Sequence, residues 1–161
     1  MQIETTQTSN SPKPNIEKAE VVLPQGLIGL KHLTHFKLIT DESLYPFVVM
    51  RSLGEEEIDF VTVDARNAIP NYQLDISDAD AAELGITSQE DDPVILNISI
   101  IHSADPPKVT SNLIAPVIIN RKTGIGKQIV LENHHKYSTE YPLIIDKEKI
   151  EKIPDKDKSA C

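Results

Sequence analysis

The stretch NRKTGIGKQIVLEN, residues 120–133, decides between two folds. As a phosphate loop it would join a strand to a helix and make the chain an α/β nucleotide binder. As a hairpin it would join two antiparallel strands. A Walker loop reads G-x-x-x-x-G-K-[ST], so that backbone amides wrap the phosphates and a hydroxyl reaches Mg²⁺. Set on Gly126-Lys127, this pattern puts Arg121 where the first glycine belongs and Gln128 where the hydroxyl belongs. The dinucleotide pattern G-x-G-x-x-G fails at Ile129. The flanking runs are strand-like on both sides, so the stretch reads as a hairpin whose glycines relax the turn.

Working outward, the same period-two texture recurs. Residues 1–8 alternate as a first strand, and SNSPKPN follows as a proline-set turn. Residues 17–23, 35–40, 46–53 and 58–64 read as further strands, with GEEE as an exposed hairpin link between the last two. PQGLIGLKHL, with Pro24, Gly26 and Gly29, reads as a tight connection. Residues 94–101 form another strand, HSADPP a loop, and residues 108–120 a long strand broken at Pro116. KQIVLEN is its expected antiparallel partner, and YPL closes the ordered part. One helix interrupts the pattern. Ser77 caps it, Asp78 and Asp80 suit its positive end, and Gly85 stops it.

The expected fold is therefore mainly β: a small antiparallel β-barrel-like or sandwich domain with one short helix. A single β-rich domain is assigned to residues 1–145. The charged tail, residues 146–161, contains two isolated isoleucines; it reads as mobile or as a short frayed helix, with disorder favoured from Pro154 onward.

Composition narrows the function. Apolar residues make up 39% of the 161 and are mostly Ile, Val and Leu, enough for a core of β-branched side chains. The net charge of -9 opposes nucleic-acid binding, which draws its affinity from Lys and Arg on phosphates. It would attract a basic protein, or serve solubility alone. The single cysteine, Cys161, makes no internal disulfide. The opening MQIETTQT lacks the basic start and apolar run of a secretory signal, and PVILNISII is too short to span a bilayer. A cytoplasmic protein without membrane contact is expected.

No catalytic constellation emerges. His32 and His35 are three apart and His134-His135 adjacent, without the convergent spacing of a zinc site. There is no G-x-S-x-G elbow. The carboxylate groups Asp41-Glu42, Glu55-Glu56-Glu57 and Asp91-Asp92 fall in turns, where they are solvated rather than tuned for acid-base work. No enzyme, metal or cofactor is expected. A small-ligand barrel or an unrecognised hydrolase is the alternative.

Several longer stretches, in order, carry a resemblance. They are LPQGLIGLKHLTHFKLI, PFVVMRSL, DFVTVDA, NYQLDISDADAAELGI and SNLIAPVIINRKTGIGKQIVLEN. Together they resemble the flagellar assembly factor FliW family over residues 22–143. The family's glycine turn usually reads closer to F-P-x-G-L-P-G-F. Here Leu23 and Leu30 stand for its aromatics and Ile28 for its second proline. The resemblance implies a non-catalytic, β-barrel-like protein-binding domain. It also implies two competing partners, the carbon storage regulator CsrA and flagellin. Binding CsrA would relieve its repression of flagellin mRNA.

For the docking surface, the residues offer two sets. Ile69-Pro70-Asn71-Tyr72 places apolar and aromatic groups in an irregular segment, suited either to anchoring a partner or to covering the core. Glu55 and Glu56 supply steering charge, and Asn112 and Leu113 lie just ahead of the Pro116 break. The candidate partner-binding residues are thus Glu55, Glu56, Ile69, Pro70, Tyr72, Asn112 and Leu113.

Overall fold

A computed structural model describes residues 1–5 and 20–153. The 120–133 stretch is a hairpin. Strands β9 (Val117–Ile119) and β10 (Gly126–Gln128) pair antiparallel, with Gly126 opposite Ile119 and Gln128 opposite Val117. Gly124 takes the left-handed φ of +73° in the turn. Asn120 Oδ1 accepts the Lys122 and Thr123 amides and fixes its start. Gly126 is needed for closeness instead, since a Cβ there would lie 2.8 Å from Ile119 Cγ1.

The remaining strands are β1 (Gln2–Glu4), β2 (Glu20–Val22), β3 (His35–Ile39), β4 (Phe47–Ser52), β5 (Asp59–Asp64), β6 (Gln73–Asp75), β7 (Val94–Ala104), β8 (Pro107–Ser111) and β11 (Tyr141–Leu143). The main sheet runs β10-β9-β7-β5-β4-β3-β2, all antiparallel. It curls until its two ends meet at one parallel bridge, Val22 to Ile125, where the Val22 amide donates to Gly124 O at 2.9 Å. The result is barrel-like without being a closed barrel. Strands β1 and β6 form a separate two-stranded sheet, and β11 adds to β8.

The long strand expected at 108–120 is two strands that share one neighbour. β8 pairs the distal half of β7 and β9 its proximal half. Residues 112–116 leave the ladder between them, and Asn112 Oδ1 accepts the Ile114 and Ala115 amides there. HSADPP is not a loop. β7 extends through Ala104 and β8 begins at Pro107, so only two residues turn. Proline is tolerated at a strand's first position, where its missing N–H costs the ladder least.

The sheet is buried on both faces. On β4, Phe47 and Val49 point into one cluster and Val48 and Met50 into the other. On β7, Ile95 and the pair Val94/Leu96 divide in the same way. The smaller cluster, with Phe36 edge-on to Phe60, fills the curl. The larger one is covered by β1, β6 and the helices. Two buried faces explain why FVVM and DFVTVD read as continuous apolar runs rather than clean alternation.

Helix α2 (Asp78–Leu84) sits where its caps place it. Ser77 Oγ accepts the Asp80 amide, and Gly85 closes it with φ +70°. A four-residue helix, α1 (Ala65–Ala68), was not expected; buried Asp64 caps it through the Arg66 amide. The tail assigned from residue 146 begins with the short helix that its sequence left open. Helix α3 (Lys147–Glu151) packs against the body, with Ile150 wholly buried and Ile153 nearly so. Ile150 lies on the helix and Ile153 two residues past its end, an apolar pair that the surrounding charges hid. SNSPKPN and residues 154–161 lie outside the described residues.

Candidate protein-docking surface

The seven residues singled out from the sequence do not share one surface. Three lie in the core rather than on a surface. Ile69, Tyr72 and Leu113 are each 1–2% exposed. The Tyr72 hydroxyl donates to Leu113 O at 2.6 Å and accepts from Asn97 Nδ2 at 3.1 Å. Its ring stands edge-on to Tyr137, centroids 5.0 Å apart. Asn97, itself fully buried, also donates to Asn112 O. Tyr72 thus fastens the 112–116 excursion to the body, and burial pushes its hydroxyl pKa up. Asn112 is half-buried and occupied with its own turn. Pro70, Glu55 and Glu56 are exposed.

The β4–β5 turn is an ordered acidic tip. Ser52 Oγ donates to Glu56 O and accepts the Ile58 amide, which sets the loop. Arg51 grips Asp59 through two nitrogens at 2.7 and 3.0 Å and reaches Glu57 at 3.5 Å. His32 meets Glu56 at 3.3 Å. Glu55 is exposed, and so is Leu53, two residues before it, at 39%. Carboxylates around an exposed apolar residue suit a basic protein better than a small ligand.

A second region carries no obvious signature in the sequence. Ile28, Ile125 and Val130 are large, apolar and exposed. Ile28 tips the turn in which the Leu30 amide donates to Leu27 O. Its own amide donates to Gln128 Oε1 at 2.8 Å, a bond that the proline usual in the resembled turn could not make. Lys127 is more than a solvated turn cation: its ammonium reaches Asp80 at 2.7 Å and Glu83 at 3.0 Å, joining β10 to α2. Those bonds hold its pKa above the ordinary lysine value. The tip of a glycine turn must point outward, and this was the one local clue to Ile28.

A third cluster is structural. The buried Asp64 carboxyl accepts the Arg66 amide and the Tyr45 hydroxyl, both at 3.1 Å. Arg66 and Arg121 both pair with Asp92. Desolvation pushes the Asp64 pKa up and outweighs the bonds that lower it. The folded chain therefore holds more protons than the unfolded chain between the ordinary carboxylate range and the raised one. Stability from this group falls as pH rises through that window. Asp64→Asn should remove the effect. Urea unfolding from about pH 4 to 7 should show the parent losing stability relative to the variant. A difference that is flat or rises with pH would contradict this assignment. Among the described residues, no three His, Cys, Asp or Glu side chains stand together as a metal site.

The comparisons with known proteins fall in line with this architecture. The family model described as FliW protein matches residues 3–144. The chain is 31% identical over 116 residues to the flagellar assembly factor FliW of Clostridium botulinum, covering 72% of this chain and 81% of that one. It is 35% identical over 126 residues to the protein of the same name from Natranaerobius thermophilus, covering 78% and 82%. A crystal structure of the flagellar assembly factor FliW superposes with a TM-score of 0.65 at 25% identity, covering 88% of this chain and 94% of that one.

Proposed function

Because the chain belongs to the FliW family, we propose that it is a non-catalytic flagellar assembly factor that works in the cytoplasm by binding two proteins in turn. One is the carbon storage regulator CsrA, whose hold on flagellin mRNA is released when this chain captures it. The other is flagellin, which competes for the chain and so ties translation to the amount of unexported flagellin. Family membership is the observation that carries this reading. The net charge of -9 supports it, since a protein that grips RNA needs basic surface and is drawn to an acidic one.

The acidic β4–β5 tip is the proposed first contact. Glu55 and Glu56 steer the regulator and Leu53 offers it an apolar foothold, while Pro70 and Asn112 remain secondary candidates. Purified chain and CsrA should form a stoichiometric complex at micromolar concentration, weakened by salt and displaced by flagellin. A double variant, Glu55→Lys with Glu56→Lys, should slow association roughly tenfold at low salt, with a loss that shrinks as salt rises and an unchanged melt. Failure of both CsrA and flagellin to bind would defeat the functional reading. Binding with an unaltered on-rate in the variant would move the contact elsewhere.

A further inference from the structure

The curled sheet is closed at one end of its seam and open beside it. Past the ladder with β9, the chain after β10 continues the same pairing: the Ile129 amide donates to Pro116 O at 3.0 Å and the Leu131 amide to Ile114 O at 2.9 Å. In an antiparallel ladder, alternate residues turn their backbone groups to opposite sides. Gln128 and Val130 therefore point theirs away from β9. Upstream, β2 covers that outer side through the bridge at Ile125. Downstream, the Glu132 amide donates to Asp75 O of β6 at 2.7 Å. Between these two points, the N–H and C=O groups of Gln128 and Val130 have no backbone partner among the described residues.

The gap is bordered by chemistry. Ile28 and Val130, 58% and 53% exposed, flank it, with the Gln128 side chain held to the Ile28 amide. Glu132, exposed, follows it in the chain; Asp75, whose carboxylate lies 4.0 Å from the Met1 ammonium, takes the Glu132 amide on its carbonyl, and Glu83 shares Lys127 with Asp80. The outer strand of the other ladder is different: β11 carries Pro142, which removes a donor and discourages further pairing. The seam has no such guard.

We propose that the open seam at Gln128–Val130 is a strand-addition site for an extended, basic segment of a partner protein. Alternate apolar side chains of that segment cover Ile28 and Val130, and its cations meet Asp75, Glu83 and Glu132. A second copy of this chain is the poorer occupant, because it would bring another -9 and the same carboxylates face to face. This inference deepens the functional reading above by assigning the mode in which the basic partner is held.

The test uses the full chain with purified CsrA, and flagellin in parallel. Amide hydrogen exchange of Gln128 and Val130 should be fast in the free chain and protected in the complex. Val130→Pro, which deletes one outward donor, should weaken binding about tenfold or more, while Val130→Ala, which keeps it, should bind within a few fold of the parent. If Val130→Pro does not fold, the exposed substitution Val130→Lys takes its place and should weaken binding by repulsion. A wild-type complex whose Gln128 and Val130 amides stay unprotected overturns this inference and leaves the functional reading standing. So does a folded Val130→Pro variant that binds as the parent does. Absence of any complex with either protein overturns both. Protection appearing in the chain alone as concentration rises would replace the basic partner with a second copy.

Discussion

Tyr72→Ala is expected to lower the free energy of unfolding by about 3–5 kcal/mol, the usual cost of emptying a large buried aromatic site. Tyr72 is the largest fully buried side chain. Its ring packs on Tyr137, and its hydroxyl joins Asn97 to Leu113 O. Removing it opens a cavity and strands a carbonyl that water cannot easily reach. Tyr72→Phe isolates the second part. It keeps the ring, unbonds Leu113 O, and should cost about 1–3 kcal/mol. Urea unfolding of both variants measures the two terms separately. A Tyr72→Ala protein that keeps its midpoint while losing partner binding would return this residue to the surface role suggested by its irregular sequence context.

Ile150→Asp should cost about 2–4 kcal/mol, through a different route. Ile150 is fully buried within the larger apolar cluster. A carboxylate will not stay there, so α3 will leave the body and take Ile153 with it. The surface ties, Lys147 to Asp105 and Lys149 to Ser43 O, are too solvated to hold the helix alone. Limited trypsin digestion should then cut at Lys147, Lys149 and Lys152 while the strands stay intact. Resistance equal to the parent's would show that α3 does not depend on Ile150.

Much of this architecture is legible without coordinates, and the reasons are local. Arg121 and Gln128 exclude a phosphate loop, and the hairpin forms as they imply. The caps of α2 are within four residues of the groups they satisfy. The illegible parts depend on distance along the chain. Nothing near Tyr72 reports that its hydroxyl meets a carbonyl 41 residues away. Ile150 and Ile153 look like strays in a charged run until an apolar floor is placed beneath them. Glu55 and Glu56 were identifiable as exposed because a glycine-acid turn needs no tertiary context to be wet. The open seam was invisible for the opposite reason, since it exists only once β2 and β10 have met.

That meeting has a consequence for synthesis. Val22 and Ile125 are brought together from opposite ends of the domain. On the ribosome, β2 to β5 emerge ahead of β6, β7 and β9 and can pair with near neighbours, but neither of their apolar faces is covered at that point. The inner face waits for β7 and β9, and the outer face for β6, α2 and α3. Such non-local closure places folding on the slow side, in the range of about milliseconds to seconds. A nascent chain stalled before Gln73, where β6 begins, would display β4 and β5 as bare apolar strands, the species that chaperones capture and that aggregates recruit.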